Sequence, residues 1–225
     1  MKNSSNVETA KTKQHSNYIA KIKKSSTLGV GVLNGVIGDF LHHENNGFSI
    51  QMQFYVNEEP LVLTKENILL THKIPTSIIC ILIYGLMNDE TIWNFPDTTY
   101  KNYGTLLQQD VSYTPFFVRY NTGLHISENG KCFSQLVQNL VNNYPVKIDE
   151  ISIIAHSMGG LVTRSACYYA PLQNANWINK LHKLIFLGTP HLGAPLEKFG
   201  NALTFLLKQI PISYTQLTGD FINLR

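Results

Sequence analysis

Residues 155–160 read Ala155-His156-Ser157-Met158-Gly159-Gly160. A serine with small residues two places before and two after it has the G-x-S-x-G spacing of a nucleophile elbow, here with alanine first. The spacing has a physical reason. A strand that turns at once into a helix holds the serine in a strained backbone conformation, and small residues at Ala155 and Gly159 let the crossing chains pass without collision. Ser157 Oγ then stands at the C-terminal edge of the sheet, where the helix start aims N–H groups at developing negative charge. The bland alternative is an ordinary strand–helix turn with Ser157 as a cap. The apolar run over 77–84 ends in Tyr84-Gly85-Leu86-Met87. A loop after an earlier strand supplies the second oxyanion donor in such a site. The backbone N–H of Leu86 takes that assignment, with the N–H of Met158 as its partner. A histidine usually precedes this glycine. Tyr84 makes the match partial and keeps a plain strand–helix loop open.

A serine nucleophile needs a base, and the base an orienting acid, in the chain order serine, acid, histidine. Beyond Ser157 the histidines are His182 and His191, and the acids are Glu197 and Asp220. No acid lies between Ser157 and His191, and no histidine follows Asp220, so that order is not met. His156 adjoins the nucleophile and should point away from it. His125 lies in the loop over 121–129. His191 follows a strand at the catalytic edge and is retained as a surrogate base. His42, His43, His72 and His182 read as surface residues. The economical expectation is a chain incomplete at its C-terminus, with the catalytic acid and histidine on final strands and loops beyond residue 225.

These residues need elements to hold them. Residues 1–26 read as a flexible basic tail. Residues 27–76 read as an N-terminal helix, with Gly31, Gly35 and Gly38 on one face, followed by lead-in strands over 48–56 and 61–63 and a short helix over 65–72. Gly29, Gly31 and Gly35 mimic a dinucleotide loop but lack the strand that must precede one. Residues 77–225 read as a partial core. Its strands are expected over 77–84, 113–120, 151–156 and 183–187, and its helices over 102–111, 132–143, 158–169 and 196–209. β-Branched runs alternating with helices predict an α/β fold, a mostly parallel sheet with helices on both faces.

Four segments together carry a family resemblance: Ile83-Tyr84-Gly85-Leu86-Met87, Arg119-Tyr120-Asn121-Thr122-Gly123, Ile154 to Val162, and Leu187-Gly188-Thr189-Pro190-His191-Leu192-Gly193-Ala194-Pro195. Over roughly 77–200 the chain resembles the lipase and esterase branch of the α/β-hydrolase superfamily, in the group similar to GPI inositol-deacylases. The resemblance implies Ser157 as nucleophile, Leu86 and Met158 as oxyanion donors, and hydrolysis of a carboxylic ester without a cofactor. Two other readings stay open: a non-catalytic remnant or binding module that keeps the scaffold, and an acyltransferase using the same elbow. Aromatic residues over 85–118, among them Trp93 and Phe117, either line an acyl pocket or pack the core.

Composition narrows the partners. The 225 residues are 44% hydrophobic and 15% charged, with a net charge of +3. Six lysines fall within the first 24 residues, leaving 12 basic and 14 acidic residues in the remainder. That balance argues against nucleic acid as a partner; a small-molecule or lipid ester as substrate is what the family resemblance implies. Cys80, Cys132 and Cys167 form neither a disulfide framework nor a metal site, which fits a reducing compartment. No secretory signal is seen at the start of the sequence, and the longest apolar runs fall short of the 20 or so residues that span a bilayer. The expectation is a cytoplasmic protein, with peripheral membrane contact and oligomeric state left open.

Overall fold

The β-branched runs form the middle of one mixed sheet. In the computed structural model residues 50–56, 59–96 and 101–193 are described. The strands among them are β1 (Gln53–Val56), β2 (Glu59–Pro60), β3 (Ile78–Ile83), β4 (Thr114–Arg119), β5 (Glu150–His156) and β6 (Leu181–Leu187). Their order is β2-β1-β4-β3-β5-β6. β4, β3, β5 and β6 run parallel, while β1 pairs antiparallel with both β2 and β4. The helices are α1 (Lys65–Thr71), α2 (Tyr103–Val111), α3 (Ile126–Asn143) and α4 (Met158–Leu172), with 3-10 turns at Glu90–Trp93 and Asn176–Lys180.

The order of the strands sets the place of the site. The chain steps from β3 outward to β4, then returns across β3 to reach β5 and β6. Right-handed crossovers in opposite directions put their helices on opposite faces. The core divides accordingly. Ile79, Ile81, Ile83, Ile151, Ile153 and Ala155 pack on one side with residues of α3 and α4. Cys80, Leu82, Trp93, Leu107 and Ile154 pack on the other. β3 and β5 are neighbours whose following loops leave toward different faces, and it is at such a switch point, beyond the C-terminal ends of the strands, that α/β sheets bind ligands.

Several boundaries differ from the sequence expectations. α3 begins at Ile126 rather than at 132, because its first turns carry the small and polar Asn129 and Gly130 on the buried side and so show no apolar period. A Cβ on Gly130 would run into the Ser165 side chain of α4, so this glycine permits the close approach of the two helices. The lead-in hairpin is shorter, pairing Tyr55 with Pro60, and Leu61 adds one bond from its N–H to the Phe54 carbonyl at 2.7 Å. His72, expected at the surface, is 7% exposed. Its ring lies 5.0 Å from that of Phe116, and burial pushes its pKa down to about 4. The tail, the helix over 27–43 and the helix over 196–209 lie outside the described residues.

Candidate active site

Ser157 joins β5 to α4 with φ 51° and ψ −125°. It occupies the N-cap position of the helix, yet its side chain makes no capping hydrogen bond. Three other N-cap residues of cap-forming type behave differently. Thr64, Asp89 and Asn102 have φ between −139° and −122°, and each accepts a backbone N–H on its side-chain oxygen, as a cap should. The Ser157 hydroxyl is therefore not used to cap the helix. Its own N–H donates to the Leu187 carbonyl at 2.8 Å, fixing the turn to the end of β6. A positive φ costs a residue with a Cβ about 1–2 kcal/mol, and such strain concentrates at functional sites.

Small residues surround the turn. Ala155 is buried and pairs with Ile83 and Phe186. A Cβ on Gly159 would lie 2.8 Å from the Ile83 carbonyl oxygen and closer still to that of Tyr84, so the first turn of α4 rests directly on the end of β3. A Cβ on Gly160 would strike Thr189. A Cβ on Gly85 would stand 2.7 Å from Ser157 Cβ and 3.1 Å from its Oγ. The Gly85–Leu86 peptide thus passes beside the serine. Among the described residues neither Leu86 N–H nor Met158 N–H has a hydrogen-bond acceptor.

Tyr84, the departure from the usual histidine, is fully buried. Its hydroxyl accepts the Tyr120 N–H at 2.9 Å and donates to the Tyr120 carbonyl at 3.2 Å, while the Tyr120 hydroxyl donates to the Tyr84 carbonyl at 2.8 Å. The two rings stack with centroids 5.0 Å apart. This reciprocal clamp joins β3 and β4 beyond their last ladder pair, Leu82 with Phe117. Burial, and then the nearby Tyr120, Glu90 and Asp89, hold the Tyr84 hydroxyl well above its ordinary pKa, with the Tyr120 backbone bond opposing. Further along, Glu90 forms a two-bond ion pair with Arg119, one bond from Nε to Oε2 at 2.8 Å, and the guanidinium lies 3.9 Å over the Tyr55 ring. Burial opposes the Arg119 charge, but the Glu90 bond and charge outweigh it and raise its pKa. The sequence marks Tyr84 only as a partial match and gives Glu90 no role. Neither pairing has a local sequence signal.

The histidines are placed as follows. His182 Nδ1 lies 2.8 Å from Glu150 Oε2, where β5 and β6 begin, a strand's length of about 20 Å from the serine. His125 is exposed in the loop after β4. His156 ends β5 half-buried, its Nδ1 without a partner and its pKa lowered by burial. His191 Nδ1 lies 3.1 Å from Arg164 Nη1, and its ring meets Phe186 edge-on. A guanidinium only donates, so this contact occupies the lone pair on Nδ1 and leaves the proton of the neutral ring on Nε2. Among the described residues no side chain hydrogen-bonds Ser157 Oγ. Glu197 and Asp220 lie outside them.

Away from the serine, a cleft of about 480 Å³ opens beside α2, lined by His72, Glu90, Asn94, Asn102 and Phe117 among others. Of the aromatic residues over 85–118, Trp93 and Phe116 belong to the core and Phe117 faces this cleft. No group of three or more His, Cys, Asp or Glu among the described residues could hold a metal ion. No helix among them is long and apolar enough to cross a membrane.

The sheet order, with a serine at positive φ between β5 and α4, is the arrangement of an α/β-hydrolase fold. Within that class, residues 75–220 match the family described as "Putative serine esterase (DUF676)", and the chain belongs to that family. No curated protein matches it. Two solved structures of the Bacillus licheniformis lipase BlEst2, in propeptide and mature forms, are similar at 18% identity and a TM-score of 0.44. Each match covers 57% of this chain, and spans 26% of the propeptide-form chain and 48% of the mature one.

Proposed function

We propose that the protein hydrolyses carboxylic esters of small molecules or lipids, with Ser157 as the nucleophile. The observation that carries this reading is the conformation of Ser157: a helix-start serine at positive φ whose hydroxyl is not spent on capping. Attack of Oγ on the ester carbonyl forms the O–C bond as the hydroxyl proton passes to a base. The carbonyl electrons move to oxygen, which the N–H groups of Leu86 and Met158 receive. Collapse expels the alcohol with that proton, and water then cleaves the acyl-serine. None of the described histidines fills the base role. His191 has its Nδ1 lone pair on Arg164, so this reading assigns the base to a residue outside 50–193. No cofactor takes part.

The occupied His191 also favours a second reading, a non-catalytic binding module on the same scaffold. One experiment separates the two. The chain is treated with a fluorophosphonate and assayed on a short acyl ester, beside Ser157→Ala. The hydrolase reading expects labelling and turnover that the substitution abolishes. An unlabelled serine, or turnover undiminished in the variant, refutes it, and the first result supports the binding module.

A further inference from the structure

Four non-glycine residues among those described have positive φ: Met87, Ser112, Ser157 and Asn174. Two have ordinary reasons. Ser112 is the left-handed C-cap of α2, and Asn174 follows the C-cap of α4, positions that short polar residues tolerate. Ser157 is the candidate nucleophile. Met87 sits in the turn over 86–87, but with its long side chain it is not of the short polar type that tolerates this conformation. It ends no helix, is 2% exposed and has a φ of 59°, so something must hold it.

The hold comes from the loop after the neighbouring strand. Met87 N–H donates to Thr122 Oγ1 at 3.1 Å, and Thr122 is 3% exposed. The other end of the same peptide, the Leu86 carbonyl, accepts from Asn88 Nδ2 at 3.3 Å. Thr122 is itself fixed. Asn129 of α3 donates from Nδ2 to the Asn121 carbonyl at 2.9 Å and to that of Leu124 at 3.3 Å, and Gly123 N–H donates to Asn121 Oδ1 at 3.0 Å. The Leu86–Met87 peptide is thus pinned at both ends, and the Gly85–Leu86 peptide is pressed against Ser157 at its Gly85 end. With the Met87 N–H taken, the Leu86 N–H is the donor left for an incoming oxygen.

We propose that Thr122 is a positioning residue: by accepting the Met87 N–H it keeps Met87 left-handed and so holds the Leu86 N–H toward the ester oxygen beside Ser157. This rests on the esterase reading above. Without the hydroxyl, Met87 relaxes toward an ordinary φ, the pinned peptide rotates, and the Leu86 N–H turns with it.

The test uses the full chain with Thr122→Val, Thr122→Ser and, in case the valine variant does not fold, Thr122→Ala. Two readouts are taken: kcat and KM on a short acyl ester, and amide hydrogen exchange at Met87. Loss of an oxyanion donor lowers kcat about 10²–10³-fold, so a misaimed one should cost at least about tenfold. Thr122→Val or Thr122→Ala should lower kcat by that factor with KM within about twofold, and speed Met87 exchange. Thr122→Ser, which keeps the acceptor, should restore both. Wild-type kcat in a folded Thr122→Val or Thr122→Ala protein overturns the proposal, as does a Met87 amide that exchanges no faster. If wild-type turnover is lost in Ser157→Ala but intact in Thr122→Val, this inference alone fails. If the wild type neither turns over ester nor labels at Ser157, the esterase reading fails and takes the inference with it.

Discussion

Replacing Tyr84 by Phe removes one oxygen atom and leaves the ring stack in place, so its effect is a nearly clean measure of the clamp. The hydroxyl serves the Tyr120 N–H at 2.9 Å and its carbonyl at 3.2 Å, in a side chain with no exposure. A buried polar group left unpaired costs about 1–3 kcal/mol. The orphaned N–H should account for most of the loss, because the carbonyl bond is the longer of the two. Tyr84→Phe is therefore expected to destabilise the protein by about 2–4 kcal/mol. Tyr120→Phe strips only one donor from the Tyr84 carbonyl and should cost about 1 kcal/mol. Urea unfolding with unchanged m-values reads both numbers. The pH dependence adds a check. Burial raises the folded-state pKa of Tyr84, so the stability linked to its neutral form is complete below the unfolded value of about 10 and falls as pH rises beyond it. Tyr84→Phe should blunt that alkaline loss. A loss below about 0.5 kcal/mol in Tyr84→Phe, or a larger one in Tyr120→Phe, would refute the reasoning.

Gly159→Ala should destabilise by about 1–3 kcal/mol, the usual cost of overpacking, because the new methyl meets backbone carbonyls of Ile83 and Tyr84 that cannot swing aside. Ester turnover should fall with it, and equal thermal midpoints for the variant and the wild type would contradict this. His72 is neutral and buried, with its pKa near 4 against 6.5 unfolded. Its contribution is thus present above pH 6.5 and is lost as the pH falls toward 4, by up to about 3 kcal/mol. Urea midpoints between pH 4 and 7 should show this slope in the wild type and a shallower one in His72→Leu; parallel slopes would dismiss the assignment.

What was legible in the sequence is what the chain encodes locally. The runs at β3 and β5 read as strands buried on both faces because their β-branched residues are consecutive. The sharp strand–helix turn at Ser157 read from five adjacent positions because such a turn restricts residue size within a few bonds. α3 was read short at its start because Asn129 and Gly130 are buried for reasons no apolar count registers: one bonds a loop, the other lets α4 approach. His72 was misplaced because its cover, Phe116, is 44 residues away. The clamp and the Glu90–Arg119 pair were invisible for the same reason, since each joins residues about 30 or more apart with no pattern between them.

Residue type and residue geometry part company most clearly at Ser157 and Met87. Thr64, Asp89, Asn102 and Ser157 all belong to the set that caps helices, and by type alone Ser157 is one more cap. Three of them spend their side-chain oxygens on the backbone; Ser157, turned to positive φ, does not. Met87 is the converse, a residue whose type promises nothing and whose φ requires an external hold. The two lie on loops after adjacent parallel strands that exit to opposite faces, with Gly85 pressed between them against the serine. Two of the four positive φ values of non-glycine residues among those described therefore fall in the loops that follow the adjacent strands β3 and β5. A scaffold concerned only with stability would relax Met87 to an ordinary φ, and the buried Thr122 that prevents this does so through a single hydroxyl.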